Sequence, residues 1–281
     1  IRTAEDLTYN ASRRNHPRTL WCRAVHLGSK LRLRQNRSRG SPTWQDPLTA
    51  LLELHQVSLD QRLQSTSLTI RADERVVLLG ASGAGKTTLI QLCNGSLKPS
   101  KGSIQWRGQP FESLTRHQRR SIGTFWQDLR LVEELSVVQN INSGALGRHG
   151  LLWALRNLLG VLDKDACLTV MHQVHLEPSL LNRAVTQLSG GQRQRVALAR
   201  LLRQRPELGL ADEPLSALDP FIARDVLDTL LSLPGCLISL HRPDLIHRFE
   251  RVLGLRNGTL VLDAAPETIS NSQLEWLYRR S

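Results

Sequence analysis

The run Gly80-Ala-Ser-Gly-Ala-Gly85-Lys86-Thr87 constrains this chain more than any other eight residues. Its glycines permit a backbone turn whose N–H groups converge on phosphate oxygens, and a helix starting behind it adds its positive end. The setting fits that use. Arg75-Val-Val-Leu-Leu79 is a short apolar run ending in glycine, which reads as a fully buried strand. A helix is expected from Lys86, with Asn94-Gly95 stopping it. In this strand–loop–helix unit Lys86 would reach the β and γ phosphates of a nucleotide, and the Thr87 hydroxyl would ligate Mg²⁺.

A second run carries acid. Leu208 to Ala211 reads as another buried strand, so Asp212-Glu213 lies at the carboxyl edge of a parallel sheet, where ligands bind. Asp212 is expected to hold Mg²⁺ through water. Glu213 is expected to polarise the attacking water, as general base or by positioning it. A third run, Leu188-Ser189-Gly190-Gly191-Gln192, is a second glycine-rich entry to a helix, which continues as Arg193 to Arg200. Ser189 is placed to cap that helix. Taken alone, this third run describes a capped surface helix.

The rest of the chain supplies the frame. Residues 52–57 and 68–71 alternate apolar and polar, as half-buried strands do. Residues 115–185 read as largely helical. Cys236 to Leu240 is a further buried strand, preceded by a helix from about Ile222. Residues 251–255 and 259–263 form a hairpin about Asn257-Gly258, and a short amphipathic helix ends the sequence. Strands alternating with helices indicate an α/β fold with a parallel central sheet. No run of 18 apolar residues occurs, so no membrane span is expected. Cys22, Cys93, Cys167 and Cys236 are scattered and read as buried free thiols. The net charge of +12 is concentrated at one end: residues 1–50 hold ten Lys/Arg against three acids. Residues 1–47, with Arg clusters and no sustained period, read as a basic, disordered extension.

The P-loop, the Leu-Ser-Gly-Gly-Gln run, Ala211-Asp212-Glu213-Pro214, Ser216-Ala217-Leu218-Asp219 and a lone His241 stand in the order found in ATP-binding-cassette ATPases. Gln127, in Phe125-Trp126-Gln127-Asp128, resembles that family's Q-loop. The resemblance covers about residues 51–265. It implies a P-loop NTPase (RecA-like) parallel-sheet core, with a small antiparallel β subdomain and an inserted α-helical subdomain. The expected divisions are the extension 1–47, a nucleotide-binding domain 48–268 with its helical subdomain at about 128–190, and a C-terminal helix 269–281. The resemblance implies ATP and Mg²⁺ as cofactors. It makes Gly80, Ala81, Ser82, Gly83, Ala84, Gly85, Lys86, Thr87 and Thr88 the ATP-binding loop. Gln127 would contact Mg²⁺, together with Thr87 and Asp212, as well as the attacking water. His241 would contact the γ-phosphate, joining Glu213, Gln127 and Lys86 as catalytic residues. Leu188, Ser189, Gly190, Gly191 and Gln192 would clamp ATP held by an opposing copy, and Asp219 would sit at that dimer interface.

Three details depart from the family pattern. Val57 to Gln61 contains no aromatic residue where the family stacks one on adenine. Gly209 stands in the strand before Asp212 where a branched aliphatic is usual, which should weaken that strand slightly. Ala72-Asp73-Glu74 replaces the common Pro-Gly-Glu turn.

Without a span of its own, such a chain would be the separate motor subunit of a transporter, peripheral on the cytoplasmic face of the inner membrane. Leu135-Ser-Val-Val-Gln-Asn-Ile141, then Gly144-Ala-Leu-Gly-Arg148 before a Leu/Trp-rich helix, resembles phosphonate-import ATPases. The implied partners are a second copy of the chain, multi-span permease subunits and, indirectly, a periplasmic substrate-binding protein. Another cargo (amino acid import, lipoprotein release or export) stays open. A non-transport ATPase acting on nucleic acid or ribosomes has only the basic extension in its favour, and nucleic acid is not an expected partner.

Overall fold

The computed structural model describes residues 50–160, 162–216 and 218–279. The expectations for residues 1–47 and for Cys22 lie outside the described residues.

Strands β1 (Ala50–Leu59) and β2 (Leu63–Arg71) pair antiparallel and bury Leu52, Leu54, Leu68 and Ile70. Strand β3 (Arg75–Leu79) begins a different sheet and runs into the glycine loop, after which α1 spans Lys86–Cys93. Asn94 caps α1 and Gly95 follows at φ 73°, so the helix stops where its sequence signal stands. Strand β4 (Lys101–Trp106) and the two-residue β5 (Gln109–Pro110) complete an antiparallel sheet ordered β2-β1-β4-β5.

The second sheet carries the site. Its strands are β3, β6 (Ile122–Phe125), β7 (Leu208–Asp212), β8 (Gly235–Ser239), β9 (Arg251–Arg256) and β10 (Thr259–Ala264). Their order is β10-β9-β3-β8-β7-β6, with every pairing parallel except that of β9 with β10. Both faces are covered, which explains why the parallel strands read as unbroken apolar runs. Val76, Leu78, Leu210 and Leu237 pack with the antiparallel sheet and with Leu89 and Leu92 of α1. Val77, Leu79, Ala211 and Ile238 point to the other face, into a core shared with helices.

Those helices are α3 (Val137–Ser143), α5 (Lys164–Gln173), α6 (Gly190–Gln204), α7 (Pro220–Leu231) and, near the end of the chain, α8 (Asn271–Tyr278), whereas α2 (Arg116–Arg119) and α4 (Leu151–Leu159) add no side chain to that core. The expectation of a largely helical stretch over 115–185 needs one correction, because β6 lies inside it. Four residues are too few to show a period, and Gly123 is there for close packing: a Cβ on it would meet Leu201 Cδ1 at 2.5 Å. Helix α7 begins two residues before the expected Ile222, with Asp219 as its N-cap and Pro220 in its first turn. Gly209 also acquires a reason. A Cβ there would lie 2.3 Å from Leu233 Cδ1, so the glycine admits Leu233 to the sheet and is not merely a weak strand residue.

Cys93, Cys167 and Cys236 are free and buried. Burial pushes their thiols up to about 12, 11 and 12, which makes them inert packing groups. Among the described residues no helix is long and apolar enough to cross a membrane.

Candidate functional site

Four chain segments leave the parallel sheet at the same edge. The glycine loop follows β3, Gln127 follows β6, Asp212-Glu213 ends β7, and His241 follows β8. Parallel strands force this convergence, because every carboxyl end points the same way.

The loop is shaped by backbone that side chains would obstruct. Gly80 has φ 154°, and a Cβ on it would lie 2.4 Å from the Leu255 carbonyl oxygen of β9. The β9–β10 hairpin also closes on the loop from outside. Asn257 and Gly258 both have positive φ, as a tight two-residue turn requires, and the Gly258 N–H donates to the Ala84 carbonyl at 3.0 Å. Thr87 and Thr88 sit in the first turn of α1, whose leading N–H groups have no partner within the helix.

Lys86 folds back over this loop. Its Nζ donates to the carbonyls of Gly80 at 2.9 Å and Ala81 at 3.2 Å, and lies 3.5 Å from Glu213 Oε1 and 3.4 Å from His241 Nε2. Burial pushes the pKa of this ammonium down, while the Glu213 carboxylate opposes that shift. His241 Nε2 in turn lies 2.5 Å from Glu213 Oε1. Lys86, Glu213 and His241, far apart in sequence, thus meet around one carboxylate oxygen.

Glu213 is held there by its backbone. Its φ of 46° is unusual for a residue with a side chain. Its N–H donates to Ser239 Oγ at 2.9 Å, and its carbonyl accepts from the Ser216 N–H at 3.2 Å and hydroxyl at 2.9 Å. The Ser239 hydroxyl donates to Asp212 Oδ1 at 2.8 Å, so one side chain fixes both acids. Ser239 is a site residue that the motifs did not single out. Its signal was present: a lone polar residue at the end of the buried run Cys236-Leu-Ile-Ser239, two positions before His241. Ser239→Ala is expected to lower unfolding stability by about 1–3 kcal/mol, because it strands a buried carboxylate and an N–H. Urea denaturation measures this.

The remaining candidates are placed differently. Gln127 is exposed, and among the described contacts it makes no hydrogen bond to Lys86, Glu213 or His241. Ser189 caps α6 in a reciprocal box: the Gln192 N–H donates to Ser189 Oγ at 3.3 Å, and the Ser189 N–H donates to Gln192 Oε1 at 3.0 Å. Residues 188–192 make no described contact with Lys86, Glu213 or His241 of their own chain. Helix α6 does reach the acid loop lower down, where the buried Gln194 Nε2 donates to the Pro214 carbonyl at 2.9 Å. Asp219 accepts from the N–H groups of Phe221 and Ile222, both at 3.0 Å.

Comparison with known proteins gives the family and the fold. The sequence profile of the family described as "ABC transporter" matches residues 63–216. A phosphonates import ATP-binding protein of Wolinella succinogenes is 37% identical over 226 residues, which cover 77% of this chain and 82% of that protein. A protein of the same description from Anaeromyxobacter dehalogenans is 39% identical over 224 residues, and the match spans 45% of its length. Among solved structures, cbiO1 of Clostridium perfringens, part of the ABC transporter complex cbiONQ, aligns with a TM-score of 0.65 at 26% identity, over 80% of this chain and 93% of that one. The ATP-binding cassette MJ0796, in a dimer bound to ADP and Pi, aligns with a TM-score of 0.65 at 25% identity, over 78% of this chain and all of that one.

Proposed function

The chain belongs to the ABC transporter family as an ATP-binding cassette, and from that premise we propose that it is the ATP-hydrolysing motor of an importer for a phosphonate or a related phosphorus oxyanion. The observation that carries the enzymatic part is the meeting of Lys86, Glu213 and His241 at the mouth of the glycine loop.

The loop from Gly80 to Thr88 binds the ATP phosphates through its backbone N–H groups and the Lys86 ammonium. Lys86 and His241 both contact the Glu213 carboxylate, at 3.5 Å and 2.5 Å respectively. A γ-phosphate seated between them draws both off the carboxylate, and Glu213 is left to accept a proton from water or to orient it. His241 then donates to the γ-phosphate. Gln127, at the end of the edge strand β6, swings in to the water and links the site to the membrane partner.

The residues present suit Mg²⁺. Asp212 is a buried carboxylate whose described hydrogen bond comes from one hydroxyl, and Thr87 offers an oxygen from the first turn of α1. Two or three protein oxygens (Thr87, Asp212, Gln127) suit an ion that keeps several waters and binds phosphate. When bound, it neutralises charge on the phosphates, and Ser239 keeps Asp212 oriented for it.

The second half of each site comes from another copy. Leu188, Ser189, Gly190, Gly191 and Gln192 form a capped helix entry that faces none of their own catalytic groups, which suits contact with ATP on the opposing subunit, with Asp219 nearby at the interface. Two copies close over two ATP, and hydrolysis reopens them. The γ-phosphate contacts favour the closed population, and the membrane-embedded subunits follow that change between access states.

The cargo reading rests on the relatives and on the 135–148 segment. Deleting the gene from its host tests it. Growth on a phosphonate as sole phosphorus source should fail while growth on phosphate persists, and the intact gene, but not a Glu213→Gln copy, should restore it. Undiminished growth on phosphonates would assign the motor to another cargo.

A further inference from the structure

Helix α4 is built inside out. Toward the rest of the protein it turns a polar residue: Asn157 is only 3% exposed. Its Oδ1 accepts from Asn142 Nδ2 at 3.1 Å, its Nδ2 donates to the Gln139 carbonyl at 3.3 Å, and its own carbonyl accepts from Gln139 Nε2 at 3.0 Å. Toward solvent it turns leucine. Leu151 is 74% exposed, Leu152 73%, Leu155 49%, Leu158 53% and Leu159 88%. Positions one, two, five, eight and nine of a helix form a single stripe. An ordinary surface helix buries such a stripe and exposes its asparagine. Scattered surface leucines need no explanation, but a contiguous apolar stripe on one helix marks a surface that something covers.

The charge around α4 narrows what that is. The sequence has no Asp or Glu between residues 135 and 162, while Arg148 and Arg156 lie within that stretch. Arg148 is held by the carbonyls of Arg203 and Gln204. Burial, and then the charges of Arg203, Arg205 and Arg120, hold its pKa below the usual arginine range, with Asp163 opposing them. Arg203 is buried and ion-paired with Asp163, which leaves Arg148, just before the helix, and the exposed Arg156 on it as the guanidinium charges of this segment. Beside them Trp153 stacks on His149, with ring centroids 4.1 Å apart and planes 11° apart. A second copy of this face would bring like charges together, which disfavours self-association through it.

We propose that α4 is an in-plane membrane contact, with its leucines at the headgroup–acyl boundary of a bilayer and Arg148 and Arg156 against anionic headgroups. An apolar stripe, a basic rim and an aromatic residue at the boundary are what this mode of binding requires. The contact would fix the tilt of the motor against the bilayer, independently of its permease contacts. It depends neither on the cargo nor on the composite ATP site.

Flotation of the full chain, without nucleotide, on phosphatidylcholine vesicles with and without phosphatidylglycerol is the test. The chain should float with the anionic vesicles. The exposed double variant Leu155→Glu/Leu159→Glu should bind them roughly tenfold less or weaker still, with ATP binding and melting temperature unchanged. Trp153 fluorescence should be quenched by lipid brominated near the headgroup end of its chains, and Trp153→Phe should remove that quenching. Flotation unaltered in the double variant would place membrane binding elsewhere, in the basic residues 1–50 for example, and overturn the proposal. So would a chain that ignores anionic vesicles, leaving a protein partner to cover the stripe, or a double variant that loses a sedimenting dimer of the parent chain.

Discussion

Glu213→Gln is expected to bind ATP and to hydrolyse it on the order of 10²- to 10⁴-fold more slowly than the parent, the range a lost general base spans. The substitution keeps shape and removes only the charge and the proton-accepting oxygen. It leaves the Glu213 N–H on Ser239 and its carbonyl on Ser216, so the loop at φ 46° is still held at both ends. It also takes away the carboxylate facing Lys86 Nζ at 3.5 Å, one of the influences keeping that buried ammonium charged. The Lys86 pKa therefore falls further in the variant, and its ATP affinity should weaken from the alkaline side first. With binding kept and hydrolysis slowed, the closed pair should persist, as a species of twice the monomer mass that appears on ATP addition. Filter binding, single-turnover hydrolysis and analytical ultracentrifugation read the three consequences. Turnover at the parental rate would remove Glu213 from its role.

Ser189→Arg should abolish ATP hydrolysis while leaving ATP affinity within about twofold of the parent. These two results separate because Ser189 touches none of Lys86, Glu213 or His241 in its own chain, so the P-loop should not notice the change. The arginine does three things at once. It removes the cap hydroxyl that accepts from the Gln192 N–H at 3.3 Å, it fills the space over Gly190 and Gly191, and it replaces a helix entry open to anions with a long side chain. Losing the cap costs about 1 kcal/mol, which a folded chain of this size tolerates, and thermal unfolding checks that it has. An equal fall in ATP binding and hydrolysis would mean that Ser189 supports its own site and not that of an opposing copy.

Much of the site was legible because its parts are backbone motifs with local causes. A glycine loop between a buried strand and a helix can be read from consecutive residues, and so can two acids ending a strand. The meeting of Lys86, Glu213 and His241 could be read only through the family resemblance, since the three are brought together by the order of parallel strands. Ser239 was missed for a related reason. It serves Asp212 and Glu213 across a strand pairing, Asp212 with Ser239, that no local spacing announces. Strand β6 was absorbed into a helical reading because four residues carry no usable period. Gly209 looked like a flaw in its strand until Leu233 was seen lying against it. The leucine stripe of α4 was visible in sequence only as a Leu/Trp-rich helix. Which face it buried depended on the Asn142–Asn157 contact, and that is a tertiary fact.

The central claim is that each ATP site is shared between two copies, and mixing two inactive variants tests it most directly. Lys86→Ala disables the loop of its own site, and Ser189→Arg disables the clamp it offers to the other. A mixed pair would hold one site with both defects and one site intact, with the loop from the Ser189→Arg chain and the clamp from the Lys86→Ala chain. ATPase activity should therefore be near zero for each variant alone and should reappear on mixing, approaching roughly a quarter of the parental rate at equal amounts if pairs form at random. A mixture as inactive as its components, under conditions where ATP-dependent pairs form, would contradict the shared site.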